Sequence, residues 1–378
     1  MTHRHSIRIR RRKRAAPRRA TLIVTCTLVA LLGTYGIAAA VTQSLSLGAG
    51  DTANVACSGN GMTVTSQAPT SLSINCWAST TTTPPTPPTP PTPTTPTTTP
   101  PTTTTPPSGS WWVPPVTAEW QWEIDHPLNT SSATDMGTGL TAYNGDAAPA
   151  TNPTIYDIDG IENPASTVSA LHALGDHAIC YVEVGTAGNY YSAADEGIPT
   201  TYYAQFQAAG VLGDKLSGYP EYFLNITSST TVSIVESMIQ QQCAAKGFDA
   251  VETDLDETYS GSDGTTGFII SQAAEQAYLT TLATYMHSLG LGWIAKNLDD
   301  TGDNFATMME PTADGIVSEQ CGQDGTCGAL SAFTSGGKAI FEAEYNLSLS
   351  AFCPAANAAN LNGTLFQVSL NGGRQPCQ

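Results

Sequence analysis

Acidic side chains stand at the ends of short apolar runs in the larger, C-terminal part of the chain. Asp157 and Asp159 end the run 154–159, Glu183 ends 178–183 and Asp254 ends 248–254. Glu319 ends 315–319, and Glu342 and Glu344 fall near the end of 339–345. In strands, alternate side chains share a face, so Asp254 lies with Glu252, and Glu319 with Val317 and Gly315. Two carboxyl groups flanking a glycosidic oxygen suffice to hydrolyse it. One stays ionised and attacks or stabilises the oxocarbenium-like centre; the other, held protonated by its surroundings, donates to the leaving oxygen. A single strand-end acid is more often structural, capping a helix or pairing with a lysine. Here cations are too few for that reading to cover the whole set. No Ser-His-Asp arrangement, phosphate loop or metal-ligand spacing competes for the role.

The elements that must position these acids alternate between strand and helix. Runs at 154–159, 178–183, 222–226, 248–254, 291–297, 315–319, 339–345 and 365–370 give eight candidate strands. Helical patterns lie between them: one from Asn163-Pro164 to Leu174-Gly175, one through Val232, Val235, Met238 and Ile239 to Lys246-Gly247, and a short one between Asn304 and Met309. That order predicts an α/β fold, a (β/α)8 TIM-type barrel over residues 110–378, with the acids at the strand ends that open onto its active face. An open doubly wound sheet is the rival, and no glycine-rich nucleotide loop follows any strand to support it.

Three further parts precede the barrel. Nine of the fourteen Lys/Arg fall within the first twenty residues, before an uncharged, largely apolar run from Thr21 to Val41. Residues 1–42 therefore read as an export signal, with Ala38-Ala39-Ala40 as a cleavage pattern, or as an uncleaved membrane anchor. Residues 43–79 read as a small β-module around Cys57 and Cys76, and 80–109 as a Thr/Pro-rich, semi-rigid linker. The expected location is secreted or cell-surface, with membrane contact only through the N-terminal segment.

Without that segment five cations remain (Lys215, Lys246, Lys296, Lys338, Arg374) against 32 acids, a balance of −27. Such a surface repels nucleic acid and would draw in a cationic substrate, although acidity for solubility alone fits the number equally well. Eight cysteines outside the export segment suggest an oxidising compartment. Proximity in sequence pairs Cys57–Cys76, Cys321–Cys327 and Cys353–Cys377, leaving Cys180 with Cys243. No CxxC/His spacing supports a metal site instead.

The run Lys246-Gly247-Phe248-Asp249-Ala250-Val251-Glu252-Thr253-Asp254 resembles the GFDGVE-x-D signature of glycoside hydrolase family 114. Other motifs match in the same order: Trp120-Gln121-Trp122, Tyr156-Asp157-Ile158-Asp159, Ile179-Cys180-Tyr181 with Gly185, Gly267-Phe268, Lys296-Asn297, Ser318-Glu319-Gln320-Cys321, and Lys338 through Glu344-Tyr345. The resemblance covers about residues 112–378. It implies a barrel that cleaves an α-1,4-linked galactosamine-containing polysaccharide, a cationic amino-sugar polymer, with no cofactor and no metal. Carried over by position, Asp254 is the nucleophile or stabilising carboxylate and Glu319 the general acid. Asp159, Glu183, Lys296, Asn297, Glu344, Tyr345, Trp122 and Tyr181 are candidates for binding substrate. Lys296 either binds substrate or neutralises the acids, and one of Trp120 and Trp122 could stack on a sugar while the other is core. The chain departs from the family where PDN becomes Thr253-Asp254-Leu255, where Glu183 replaces the usual Ser, and in 185–191. A monomer is expected. The alternative function is a non-catalytic, carbohydrate-binding cell-surface barrel.

Overall fold

A computed structural model describes residues 111–138 and 151–377 in full, and before them only the backbone of five short strands. Most of the export segment, the linker, Cys57 and the side chain of Cys76 lie outside the described residues. The chain divides into two compact units, one of them Ile9–Thr102. In that unit Ser71–Trp77 pairs antiparallel with Val41–Ser46 on one side and Gly61–Ser66 on the other. Thr21–Val24 pairs in parallel with Thr52–Val55.

The other unit is the barrel. Its eight parallel strands are β1 (Trp120–Glu123), β2 (Ile155–Asp159), β3 (His177–Glu183), β4 (Ala250–Asp254), β5 (Gly292–Lys296), β6 (Gly315–Glu319), β7 (Ala339–Glu344) and β8 (Asn362–Phe366), hydrogen-bonded in that order. A ninth strand, Arg374–Pro376, runs antiparallel to β8. The seam between β1 and this end of the sheet is closed by an antiparallel bridge from Glu123 to Asn371 and by Ile124 N donating to Leu370 O at 3.3 Å. Gln121 Nε2 adds a 3.0 Å bond to Gly372 O. Arg374 is fully buried beside the seam, paired with Glu119.

The strand expected at 222–226 is not a barrel strand. Glu221–Leu224 joins Thr186–Gly188 and Leu212–Lys215 in a small antiparallel sheet inserted after β3. The count of eight holds because β1 takes its place. Alternation sorts each strand between two cores, as expected for a closed sheet covered by helices. On β3, Ile179 and Tyr181 point into the barrel, and Ala178, Cys180 and Val182 pack outward against the helices. Trp120, Trp122, Phe341 and Phe366 fill the barrel floor, with Trp120 5.1 Å from Phe341 and 5.0 Å from Phe366 between ring centroids.

The helices keep their sequence signals with one change. Ala165–Leu174 stops at Gly175 in the left-handed region (φ 87°), as the glycine predicts. Asn163 does not cap it; its side chain instead bonds Leu128 N and Asp159 O. Ser229–Met238 continues through a π-turn, Ile239–Cys243, and ends at Gly247 (φ 86°). That turn carries Cys243 to its disulfide with Cys180 on β3. The pairs Cys321–Cys327 and Cys353–Cys377 also form as expected.

Candidate active site

The strand ends converge on one ammonium group. Lys296, the last residue of β5, is 2 % exposed, and its Nζ lies 3.2 Å from Glu252 Oε1, 3.3 Å from Asp254 Oδ1 and 3.4 Å from Glu319 Oε2. Burial would push this lysine down, but the three carboxylates together hold it well above its ordinary value, so it stays charged. Its ammonium also lies over the Trp122 ring, 4.6 Å from the centroid. The ring expected to stack on a sugar therefore presents its face to Lys296. The neighbouring Trp120 is core.

Asp254 and Glu319 keep 17 % and 13 % of their side chains accessible and border an open cleft at the C-terminal ends of the strands. Since each meets the same nitrogen, their nearest oxygens lie no more than about 7 Å apart, near enough to act on one glycosidic bond from two sides. Tyr181 Oη donates to Asp254 Oδ2 at 2.8 Å. Glu319 accepts from Tyr345 Oη at 2.5 Å and from Asn297 Nδ2 at 3.2 Å. Asn297 Oδ1 in turn accepts from Glu319 N at 2.9 Å, so one amide aligns both the backbone and the side chain of Glu319.

Local backbone keeps these groups at the rim. The residue after each of Asp254, Lys296 and Glu319 is left-handed: Leu255 (φ 66°), Asn297 (φ 53°) and Gln320 (φ 58°). Non-glycine residues rarely adopt this conformation, and it turns the chain sharply away while the strand-end side chain stays aimed at the cleft. Asp256, which follows on the β4 loop, points into the wall, where it accepts from Thr253 Oγ1 at 2.8 Å and Lys296 N at 3.0 Å.

Glu183, at the end of β3, borders the same cleft and is bonded by Tyr190. Burial and then Glu221 push its carboxyl well up. Glu221 comes from the inserted sheet, which with Leu216 and Tyr219 forms one wall of the cleft. Its carboxylate accepts from Thr186 Oγ1 at 2.9 Å. No feature near Glu221 in the sequence marks it; only the fold of the insertion brings it over the barrel mouth.

Two candidates lie elsewhere. Asp159 accepts from Ile161 N (2.8 Å), Glu162 N and Tyr191 Oη, and borders a neighbouring cavity rather than the Asp254–Glu319 cleft. Glu344 is on the outer face of β7, where its Oε1 accepts from Gly322 N (2.8 Å) and Gln323 N (3.2 Å). It is a brace for the disulfide-closed loop that follows Glu319. The register of β7 turns Tyr345, not Glu344, toward the site.

Against known proteins, the profile of glycoside-hydrolase family GH114 matches residues 101–378. The chain belongs to that family. It is therefore a glycoside hydrolase. No curated protein sequence matches it. A crystal structure of Aspergillus fumigatus Ega3 in complex with galactosamine superposes with a TM-score of 0.58 at 25 % identity, covering 71 % of this chain and 98 % of that one. The glycoside hydrolase domain of Pseudomonas aeruginosa PelA gives 0.47 at 10 % identity, covering 68 % and 97 %.

Proposed function

We propose that this chain is an exported, endo-acting hydrolase of α-1,4-linked galactosamine polymer in partly deacetylated form, acting as a monomer at or beyond the cell surface. The observation that carries the reading is the convergence of Asp254 and Glu319 on Lys296 at the mouth of the barrel. The galactosamine bound in the Ega3 crystal supports the choice of sugar. Glu319 gives a proton to the glycosidic oxygen as the bond from C1 to that oxygen breaks. Asp254, kept ionised by Lys296 and oriented by Tyr181, meets the positive charge developing at C1, and water completes the hydrolysis. Amines on the polymer are cationic near neutral pH, and a mature balance of −27 favours their capture.

The full chain and its Asp254→Asn and Glu319→Gln variants, given deacetylated and acetylated galactosamine polymers, test this through released reducing ends. The wild type is expected to cleave the deacetylated polymer, more slowly at high salt. Each variant should lose roughly 100- to 10,000-fold in rate. Unimpaired release by both variants sinks the assignment, and rates equal at low and high salt sink the electrostatic part.

A further inference from the structure

Beneath the cleft, two carboxyl groups that the hydrolysis does not use are sealed into the barrel. Asp157 on β2 and Glu252 on β4 flank β3, and both have no exposed surface. Both are set on the inward-facing positions of their strands, and each carboxyl acts directly on the protonation of the other. Among the described residues, neither oxygen of Asp157 meets an N–H or O–H donor, and Glu252 has only the Lys296 ammonium. Two carboxylates in such contact cannot both be ionised; the contact closes when one proton lies between them.

The charges around this pair can be counted element by element. Trp122 on β1 and Tyr181 on β3 supply rings, Tyr345 on β7 a phenol, and Glu183 a carboxyl at the rim. Asp254 and Glu319 supply carboxylates from above, and Lys296 is the cation they share with Glu252. Burial and then Glu252 push Asp157 well up, whereas Lys296 partly offsets the burial of Glu252. Glu252 has the Lys296 ammonium 3.2 Å away while Asp157 has no donor at either oxygen, so the shared proton resides toward Asp157.

We propose that Asp157 and Glu252 are a proton-sharing positioning pair, presenting one negative charge to Lys296 from below and so dividing that ammonium's field between Asp254 and Glu319 above. The pair touches no substrate. It acts through Lys296, and it sets the pH window in which one cleft carboxyl is ionised while the other still holds its proton. Neutralising Glu252 would release Lys296 wholly to the upper two and make the donated proton easier to lose.

The consequence for turnover rests on the proposed hydrolysis; the shared proton does not. Two measurements separate them. Infrared difference spectra of the full chain without substrate, wild type minus Asp157→Asn, should show at neutral pH the carbonyl band of a protonated carboxyl lost with Asp157. In kcat/KM profiles against pH on galactosamine polymer, Glu252→Gln should move the high-pH limb to lower pH by about one unit, a tenfold change. Partial recovery of rate at acidic pH would mark it as more than a structural lesion. A wild type minus Asp157→Asn difference with no protonated-carboxyl band at neutral pH, with thermal melting showing both proteins folded, overturns the proposal. So does a Glu252→Gln rate lowered evenly at every pH. If the wild type leaves the polymer uncut while the band behaves as stated, the substrate reading fails and the shared proton stands.

Discussion

Tyr345 and Glu319 meet at the β6–β7 edge of the cleft, phenol Oη 2.5 Å from carboxylate Oε1. Burial, and next the charge of Glu319, push the phenol well up, so it remains a donor across the working pH range. Tyr345→Phe loses that alignment of Glu319 and should lower kcat by about tenfold, the worth of a hydrogen bond to a charged group. Initial rates over a range of substrate concentrations, giving kcat and KM, check it.

Lys296 separates acids that would otherwise repel. Removing one partner of a buried ion pair costs about 3–5 kcal/mol, and here one ammonium serves three carboxylates. Lys296→Met should destabilise the protein by about that amount and abolish turnover. Lys296→Arg should not restore activity, because the planar guanidinium cannot place a single nitrogen between Asp254 and Glu319 over the Trp122 ring. Urea unfolding and reducing-end assays are the measurements.

The candidate pair was legible in the sequence because strand-end acids in a barrel face one mouth, and both Asp254 and Glu319 follow that rule. Glu344 obeys the same rule in sequence but not in space, since the alternation of β7 sends Phe341, Ala343 and Tyr345 inward and Glu342 and Glu344 outward. Tyr222–Ile226 alternates as well as any barrel strand, and periodicity cannot tell a barrel wall from a small sheet lying on its rim. The short, aromatic β1 carries a family motif, Trp120-Gln121-Trp122, yet stands outside the eight strands that periodicity gives. The role of Glu252 escaped because an acid one layer below the rim looks like any other strand residue until its neighbours are known.

Gly185 follows β3 where the inserted sheet meets the loop after β4. A Cβ there would lie 2.2 Å from the Leu255 carbonyl oxygen, and Gly185 N itself donates to Asp254 O at 3.2 Å. Gly185→Ala must therefore push the β4 loop away. A loss of about 1–3 kcal/mol in stability is expected, together with a fall in kcat larger than the change in KM. Circular dichroism melts and initial rates would show it.

Several sealed carboxyls make stability depend on pH. Burial pushes Glu275 up to about 8; burial and then Glu344 take Glu342 to about 8; burial and then Asp135 take Glu123 to about 9. Each is raised above its unfolded value, so the stability it contributes is complete below about pH 4.3 and is lost as pH rises through 8 to 9. Asp314 acts in the opposite sense, lowered by His287 and Trp111 against its burial, and its contribution is lost as pH falls below the carboxylate range. The melting temperature should therefore be higher near pH 5 than at pH 8.5. Glu275→Gln, keeping the shape that accepts from Thr258 and Tyr259 N, should flatten that slope.

The seam has a bearing on how the protein reaches its native state. Glu123 is joined to Asn371, so almost the whole domain separates two partners that must meet before the floor of the cleft is sealed from water. Closure of that kind is dominated by non-local pairing and is slow. In the unfolded chain Asp157 and Glu252 are hydrated and ionise freely, so burying Asp157, whose carboxyl is pushed well up, draws a proton from solvent. Reaching the closed barrel is thus linked to acidity, and folding should become more favourable as the medium is made mildly acidic.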